Sequence, residues 1–118
     1  MKREQFIKVV EETLDSLPRQ FRSRIRNVAV LVEDFPPNQP SAQPGQQRWL
    51  LLGLFHGVPK TKKSSFDWPT GPDHIVLYQK NIEAVCSDED EVREQIRRTV
   101  IHELGHYFGM DENQLKDV

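Results

Sequence analysis

The stretch that decides the fold of this chain lies near the end of its 118 residues and runs His102-Glu103-Leu104-Gly105-His106-Tyr107-Phe108-Gly109-Met110-Asp111-Glu112. Two histidines four positions apart lie on one side of a helix, about 6 Å apart along its axis, so both imidazoles can bind one metal ion. Glu103 follows the first histidine and therefore points beside such an ion. A carboxylate at that position can accept a proton from water and pass it to a leaving amine.

A long helix is predicted over residues 87–108, and it carries both histidines. Ser87 is the expected N-cap, with Asp90 three positions on in a variant of the capping box. The acidic residues 88–91 fall in the first turn, where the helix dipole favours negative charge. Gly109 stands where a residue with positive φ would end the helix. The segment therefore contains both a start signal and a stop signal.

One side of this helix is apolar, and the other side carries the histidines. The apolar positions fall within one half of the helical wheel; they are Val92, Ile96, Val100, Ile101, Leu104 and Phe108. Tyr107 falls on the same side, so we expect it in the core rather than at an oxyanion. His102 and His106 fall on the opposite side. We expect them to face a cleft, as an open catalytic metal site requires.

A third protein ligand is expected after Gly109, with one position left for water. The candidates in this tail are Asp111, Glu112, Asn113 and Asp117. Glu112 is preferred because Gly109 allows the chain to turn sharply and return position 112 toward the ion, and Asp111 is the second choice. Cys86 is the only cysteine. Neither a cysteine cage for zinc nor an internal disulfide can therefore form.

Length and composition predict one domain, residues 1–118, with an ordinary soluble surface. The formal net charge is -2 and charged residues make up 29%, which gives no indication of a nucleic-acid partner. No apolar run reaches the roughly 18 residues that a membrane helix needs. The N-terminal residues do not form a secretory apolar segment. The expected location is the cytoplasm.

The rest of the chain predicts an α+β fold with a small mixed sheet. Apolar residues at helical spacing indicate an N-terminal helix over residues 2–16, ended by Pro18. Strands are predicted at 28–32, 49–55 and 75–78, and the continuous apolar run of the first is typical of a buried strand. Polar, proline-containing loops are predicted at 35–48 and 59–72. The second loop contains Phe66 and Trp68, which would either cover a bound peptide or pack on the core.

Three further side chains are assigned structural rather than catalytic roles. His56 follows a predicted strand and His74 precedes one, and neither belongs to the histidine motif. Cys86 stands before a helix N-terminus, which can lower a thiol pKa. Without a neighbouring base we expect it to be unreactive.

The run from His102 to Glu112 resembles the metzincin signature His-Glu-x-x-His-x-x-Gly-x-x-His, with Glu112 in place of the third histidine. It is more similar to a family of small bacterial proteins, the minimal zincin-like metallopeptidases. Other stretches that resemble this family are residues 14–18, 28–34, 51–55, 57–59, 75–78 and 97–103. Unlike the metzincins, the chain has no methionine after Met110 to form a Met-turn.

This resemblance implies a compact α+β fold, a zinc site made of the two histidines and a following carboxylate, and Glu103 as general base. Positions 111 and 112 are usually both acidic in the family, as here, so the resemblance does not choose between them. The expected function is zinc-dependent hydrolysis of a peptide or protein substrate. The alternative is a metal-binding interaction module with little or no activity, in which a protein partner completes the cleft.

Overall fold

The computed structural model describes residues 1–25, 28–37, 51–57 and 73–109. Over these ranges the elements follow one another as α1 (Arg3–Asp15), α2 (Arg19–Ile25), β1 (Ala29–Glu33), β2 (Gly53–His56), β3 (His74–Tyr78), α3 (Gln79–Ala84) and α4 (Glu89–Tyr107). The fold is α+β, as the sequence predicts. No helix within the described ranges is long and apolar enough to cross a bilayer.

The described strands form a mixed sheet in the order β1-β3-β2. β3 pairs in parallel with β1 and antiparallel with β2, and it is the central strand. Ile75 and Leu77 of β3 are fully buried, whereas Leu31 of β1 is 46% exposed. The prediction of a buried first strand is therefore wrong. β1 lies at one side of the described sheet, and its residues alternate between half-buried and exposed despite their apolar run.

Helix α4 packs against β2, β3 and each of the other three described helices, so it runs through the middle of the domain core. Its apolar side supplies Val92, Ile96, Val100, Ile101 and Leu104, all buried. The opposing residues of the core are Phe6, Val9, Val10, Leu17, Phe21, Val28, Ile75, Leu77 and Ile82. Burial of the apolar side of α4 fixes the rotation of the helix about its axis, and that rotation determines which of its residues are exposed.

The predicted ends of α4 require a correction at the N-terminus. The N-cap is Asp88 rather than Ser87: Oδ1 of Asp88 accepts a hydrogen bond from Glu91 N at 2.8 Å. The Glu91 carboxylate in turn accepts one from the backbone N–H of Ser87. The capping pair is thus Asp88 and Glu91 rather than the predicted Ser87 and Asp90. At the other end the prediction is confirmed, because Gly109 has φ 74° directly after the last turn.

The sequence pattern finds α1 to within one residue at each end, but it misses α2 and α3. Both are short, with seven and six residues, too few for a helical period to become visible. In α3 the buried residues include the polar Gln79 and Asn81. The buried amide of Asn81 is satisfied by a hydrogen bond, since its Nδ2 donates to Leu51 O at 2.8 Å. This bond connects α3 to the segment before β2.

Several predictions fall partly or wholly outside the described residues. β2 covers Gly53–His56, whereas the predicted strand is 49–55. Residues 51 and 52 precede β2, with Leu52 O accepting a hydrogen bond from Tyr78 N, and 49 and 50 lie outside the described ranges. Of the loop predicted at 35–48, only 35–37 are described. The loop at 59–72, with Phe66 and Trp68, lies outside the described ranges, as do the tail residues Asp111 and Glu112.

Candidate metal and catalytic site

Both motif histidines lie on the exposed side of α4, as the helical wheel predicts. His102 and His106 are exposed, whereas Leu104 between them is fully buried. The centroids of the two imidazole rings are 6.4 Å apart, and the ring planes are inclined by 31°. The pair is thus displayed on one helix face, one turn apart, without any loop to position it.

The histidine pair fits the first two ligands of a zinc ion. Two imidazoles bound to one tetrahedral ion have centroids roughly 5 Å apart, so the observed 6.4 Å closes by small rotations of two exposed side chains. In the described ranges no group of three His, Cys, Asp or Glu residues is arranged to hold a metal. The predicted third ligand, Glu112 with Asp111 as second choice, belongs to the tail outside those ranges.

The side chain of Glu103 extends from α4 to the neighbouring strand β2. Its Oε2 accepts a hydrogen bond from the backbone N–H of Phe55 at 3.2 Å. The pairing of β2 explains why that N–H points away from β3. Tyr78 N donates to Leu52 O, so residues 52, 54 and 56 bond to β3, whereas the N–H groups of Gly53 and Phe55 point to the outer edge. The Glu103 carboxylate therefore accepts a hydrogen bond from a backbone N–H of β2 that points away from β3.

A cavity of about 310 Å³ adjoins these residues. Its walls come from α4 and from the chain entering β2, and its lining residues are Leu51, Leu52, Gly53, Gln95, Arg98, Thr99, His102 and Glu103. Two of the residues predicted for the site, His102 and Glu103, thus share one cavity. The cavity thus lies beside the first of the two histidines, His102, whereas His106 is not among its lining residues.

Gly53 sets the distance between β2 and α4. A Cβ atom at this position would lie 2.7 Å from Cγ2 of Thr99 and 3.1 Å from Val76 O. The first distance is shorter than real Cβ contacts and the second is tight, so a side chain here would require β2 or Thr99 to shift. The close approach keeps the outer edge of β2 within reach of the Glu103 carboxylate.

Tyr107 is a core residue, as its position on the wheel predicts. It is 4% exposed and stacks on Phe55 with ring centroids 4.3 Å apart. Its hydroxyl donates to Oδ2 of Asp73 at 2.6 Å. These contacts hold the Phe55 side chain against α4 and so help to fix its backbone N–H. Sequence reasoning missed Phe55, Gly53 and Asp73, because nothing in their local pattern indicates a contact with residues about 35 to 50 positions away.

His56 and His74 lie opposite each other in the register of β2 and β3. Their rings stack with centroids 4.7 Å apart and planes inclined by 12°. Their neighbours Phe55 and Ile75 pack on the core. Since successive side chains of a strand alternate, both histidines project from the sheet face turned away from α4. They therefore stand apart from His102 and His106.

Cys86 lies at the far end of the same side of α4 and is half-buried. Burial raises the pKa of its thiol, and the negative charges of Glu91, Asp88 and Glu83 raise it further. The protonated thiol is favoured, which agrees with the expectation of an unreactive cysteine.

Comparison with known proteins gives a fold relative and a family. No curated protein matches the chain. The fold is similar to that of a conserved hypothetical protein from Thermus thermophilus, with a TM-score of 0.58 and 24% identity over 92% of this chain and 94% of the other. That likeness concerns the fold alone. The sequence matches the family described as zincin-like metallopeptidase over residues 25–118. The chain therefore belongs to the zincin-like metallopeptidase family, in agreement with the resemblance of its motif.

Proposed function

We propose that this protein is a zinc-dependent peptidase whose metal ligands are His102, His106 and Glu112, with Asp111 as the alternative third ligand. The observation that carries the proposal is the position of both imidazoles on one exposed face of α4, next to a cavity lined by His102 and Glu103. Family membership supports the reaction class. Imidazole nitrogens and a carboxylate oxygen are ligands that suit zinc.

When bound, a zinc ion would polarise the carbonyl of the scissile bond and lower the pKa of a water molecule. Glu103 is the general base that removes a proton from the attacking water. The same carboxyl group then donates that proton to the amine that leaves when the peptide C–N bond breaks. The bond from Phe55 N to Oε2 orients the carboxylate and leaves Oε1 to take the proton.

The outer edge of β2 is the proposed binding surface for the substrate backbone. Gly53 and Phe55 direct their N–H and C=O groups away from β3. A peptide in extended conformation can add to this edge as a further strand, because main-chain groups then pair along its length. The Phe55 N–H is already engaged by Glu103, so the outward N–H and C=O groups of Gly53 would be the first to pair with a substrate. Such a mode fits a peptide or protein substrate.

Metal analysis together with one conservative variant tests the proposal. Protein purified without chelator should contain one equivalent of zinc, and His102→Ala should lose it. Glu103→Gln should retain the zinc but lose at least about 100-fold in turnover of a broad peptide library, since a general base contributes roughly that factor or more. Arg97→Gln, a substitution on α4 that changes neither a proposed ligand nor the base and does not line the cavity, is the control.

Two results would count against this function in different ways. Stoichiometric zinc without cleavage of any library peptide would favour the alternative, a metal-binding module that needs a protein partner to complete its cleft. Absence of zinc, and no binding of zinc added by titration, would refute the metal site itself.

A further inference from the structure

The groove beside α4 extends well beyond the proposed catalytic residues. A second cavity of about 320 Å³ adjoins the first, and its lining residues are Val85, Cys86, Glu91, Glu94, Gln95 and Arg98. Gln95 and Arg98 line both cavities. The two therefore form a groove that follows α4 from Glu103 back to Glu91, about 18 Å at 1.5 Å per residue.

Arg98 is the cation at the centre of this groove. It lies one helical turn before His102, on the same side of α4, and 64% of its side chain is exposed. Its Nε donates to Oε1 of Glu94 at 3.2 Å. A guanidinium has five donors in a planar fork. The bond through Nε therefore orients the plane of the group and leaves the two terminal nitrogens to bind a further carboxylate.

The first cavity combines this cation with an apolar wall. Leu51, Leu52 and Gly53 form the wall on the side of β2, and the bond from Asn81 to Leu51 O holds it in place. The other charged group in this cavity is Glu103, whose Oε2 is engaged by a backbone N–H. Methylene groups of a ligand can pack against this apolar wall, and a negatively charged group of the ligand can pair with Arg98. The cavity volume of about 310 Å³ is sufficient for one large side chain.

We propose that Arg98 is a specificity-determining residue, which binds a carboxylate of the substrate in the cavity next to His102 and Glu103. The proposal rests on the proposed peptidase function and names the substrate class for it. The carboxylate is supplied either by an acidic side chain close to the scissile bond or by the C-terminus of the substrate. The apolar wall favours glutamate over aspartate, because a glutamate stem has one more methylene to bury.

Cleavage of a defined peptide library tests this inference. The probe is an internally quenched octapeptide library in which one position at a time is Glu, Gln or Lys and the others are randomised. Each set is made with a free and with an amidated C-terminus. At one position within three residues of the cleaved bond, wild type should prefer Glu over Gln about tenfold in kcat/KM, a typical effect of one charge-assisted pair. A tenfold preference for the free C-terminus instead would identify the terminal carboxylate as the ligand.

The matched variants are Arg98→Gln and Arg97→Gln. Both remove one positive charge from adjacent positions of α4, but Arg97 lines neither cavity. Arg98→Gln should reduce the preference for Glu over Gln to below twofold. Arg97→Gln should keep the preference. No selectivity for a carboxylate in wild type, or selectivity that survives Arg98→Gln, would overturn the proposal.

A binding measurement separates failure of this inference from failure of the proposed function. The Glu and Gln peptides are titrated into Glu103→Gln protein supplied with one equivalent of zinc chloride, and into the Arg98→Gln double variant. Tighter binding of the Glu peptides by about fivefold, lost in the double variant, would support carboxylate recognition even if wild type cleaves nothing. If wild type cleaved no peptide but showed this selectivity, the peptidase function would be refuted and carboxylate recognition by Arg98 would stand. Equal affinities for both peptides would refute the role of Arg98.

Discussion

The carboxylate of Glu103 is hydrogen-bonded to the backbone N–H of Phe55, at 3.2 Å across the gap between α4 and β2. The donor belongs to the outer edge of β2, where strand pairing leaves alternate N–H groups pointing outward. The proposed general base is thus oriented by a backbone group that no substitution of Phe55 except proline removes. Its orientation depends instead on how closely β2 approaches α4.

Gly53→Ala should disturb that approach. The new Cβ would lie 2.7 Å from Thr99 Cγ2 and 3.2 Å from Leu77 Cδ2, so we expect β2 to shift outward. We expect a loss of about 1–3 kcal/mol in the free energy of unfolding, the usual cost of overpacking. Urea denaturation measures it. The Phe55–Glu103 bond should lengthen with the shift, so kcat should fall more than KM rises.

Thr99→Ser provides the control for this prediction, because it removes the obstructing methyl group and keeps the hydroxyl that accepts from Gln95. The double variant Gly53→Ala/Thr99→Ser should therefore be more stable than the sum of the single effects predicts, by about 1 kcal/mol. Strict additivity would show that the contact with Thr99 does not determine the position of β2.

Tyr107→Phe should weaken the packing around Phe55 without abolishing turnover. The substitution deletes the hydroxyl that donates to Asp73 at 2.6 Å, but it retains the ring stacked on Phe55. Loss of one hydrogen bond to a charged group costs about 1.5–3 kcal/mol, measurable by thermal or urea unfolding. With correction for the folded fraction, kcat should stay within about threefold of wild type. A fall of 100-fold without loss of stability would instead assign Tyr107 to the transition state.

The parts of the site that follow from helix periodicity could be predicted from the sequence. Val100 and Leu104 lie inside, while His102 and His106 lie outside, since a helix of 3.6 residues per turn fixes these directions once its apolar side is buried. The positive φ of Gly109 also follows from local chemistry. Such features need only residues that are close in the chain.

The features that join distant segments could not be predicted. Phe55 and Glu103 are 48 residues apart, and their contact depends on the order of strands in the sheet. The exposure of Leu31 likewise depends on β1 lying at one side of β3 rather than at the centre. An apolar run indicates a strand but does not reveal how many neighbours the strand has.

Asp88→Ala should destabilise α4 more than Ser87→Ala does. Asp88 accepts the hydrogen bond from Glu91 N at 2.8 Å, whereas the bond of Ser87 comes from its backbone N–H and survives the loss of the hydroxyl. Removal of an N-cap side chain costs about 1 kcal/mol. The midpoint of thermal unfolding should therefore fall by several degrees for Asp88→Ala. A larger effect of Ser87→Ala would instead assign the cap to Ser87, as the sequence pattern predicts.

Alkylation of Cys86 should require a higher pH in the folded protein than in the unfolded chain. Burial, and then the charges of Glu91, Asp88 and Glu83, raise the pKa of the thiol. Because the folded state holds this proton more tightly, the associated stability is fully present below the pKa of the unfolded thiol and is lost as pH rises through the folded pKa. The measurement is the rate of iodoacetamide reaction against pH, in buffer and in urea, with Cys86→Ser as the blank. A folded-state midpoint at or below that in urea would show that the adjacent helix N-terminus, rather than burial and the carboxylates, controls the thiol.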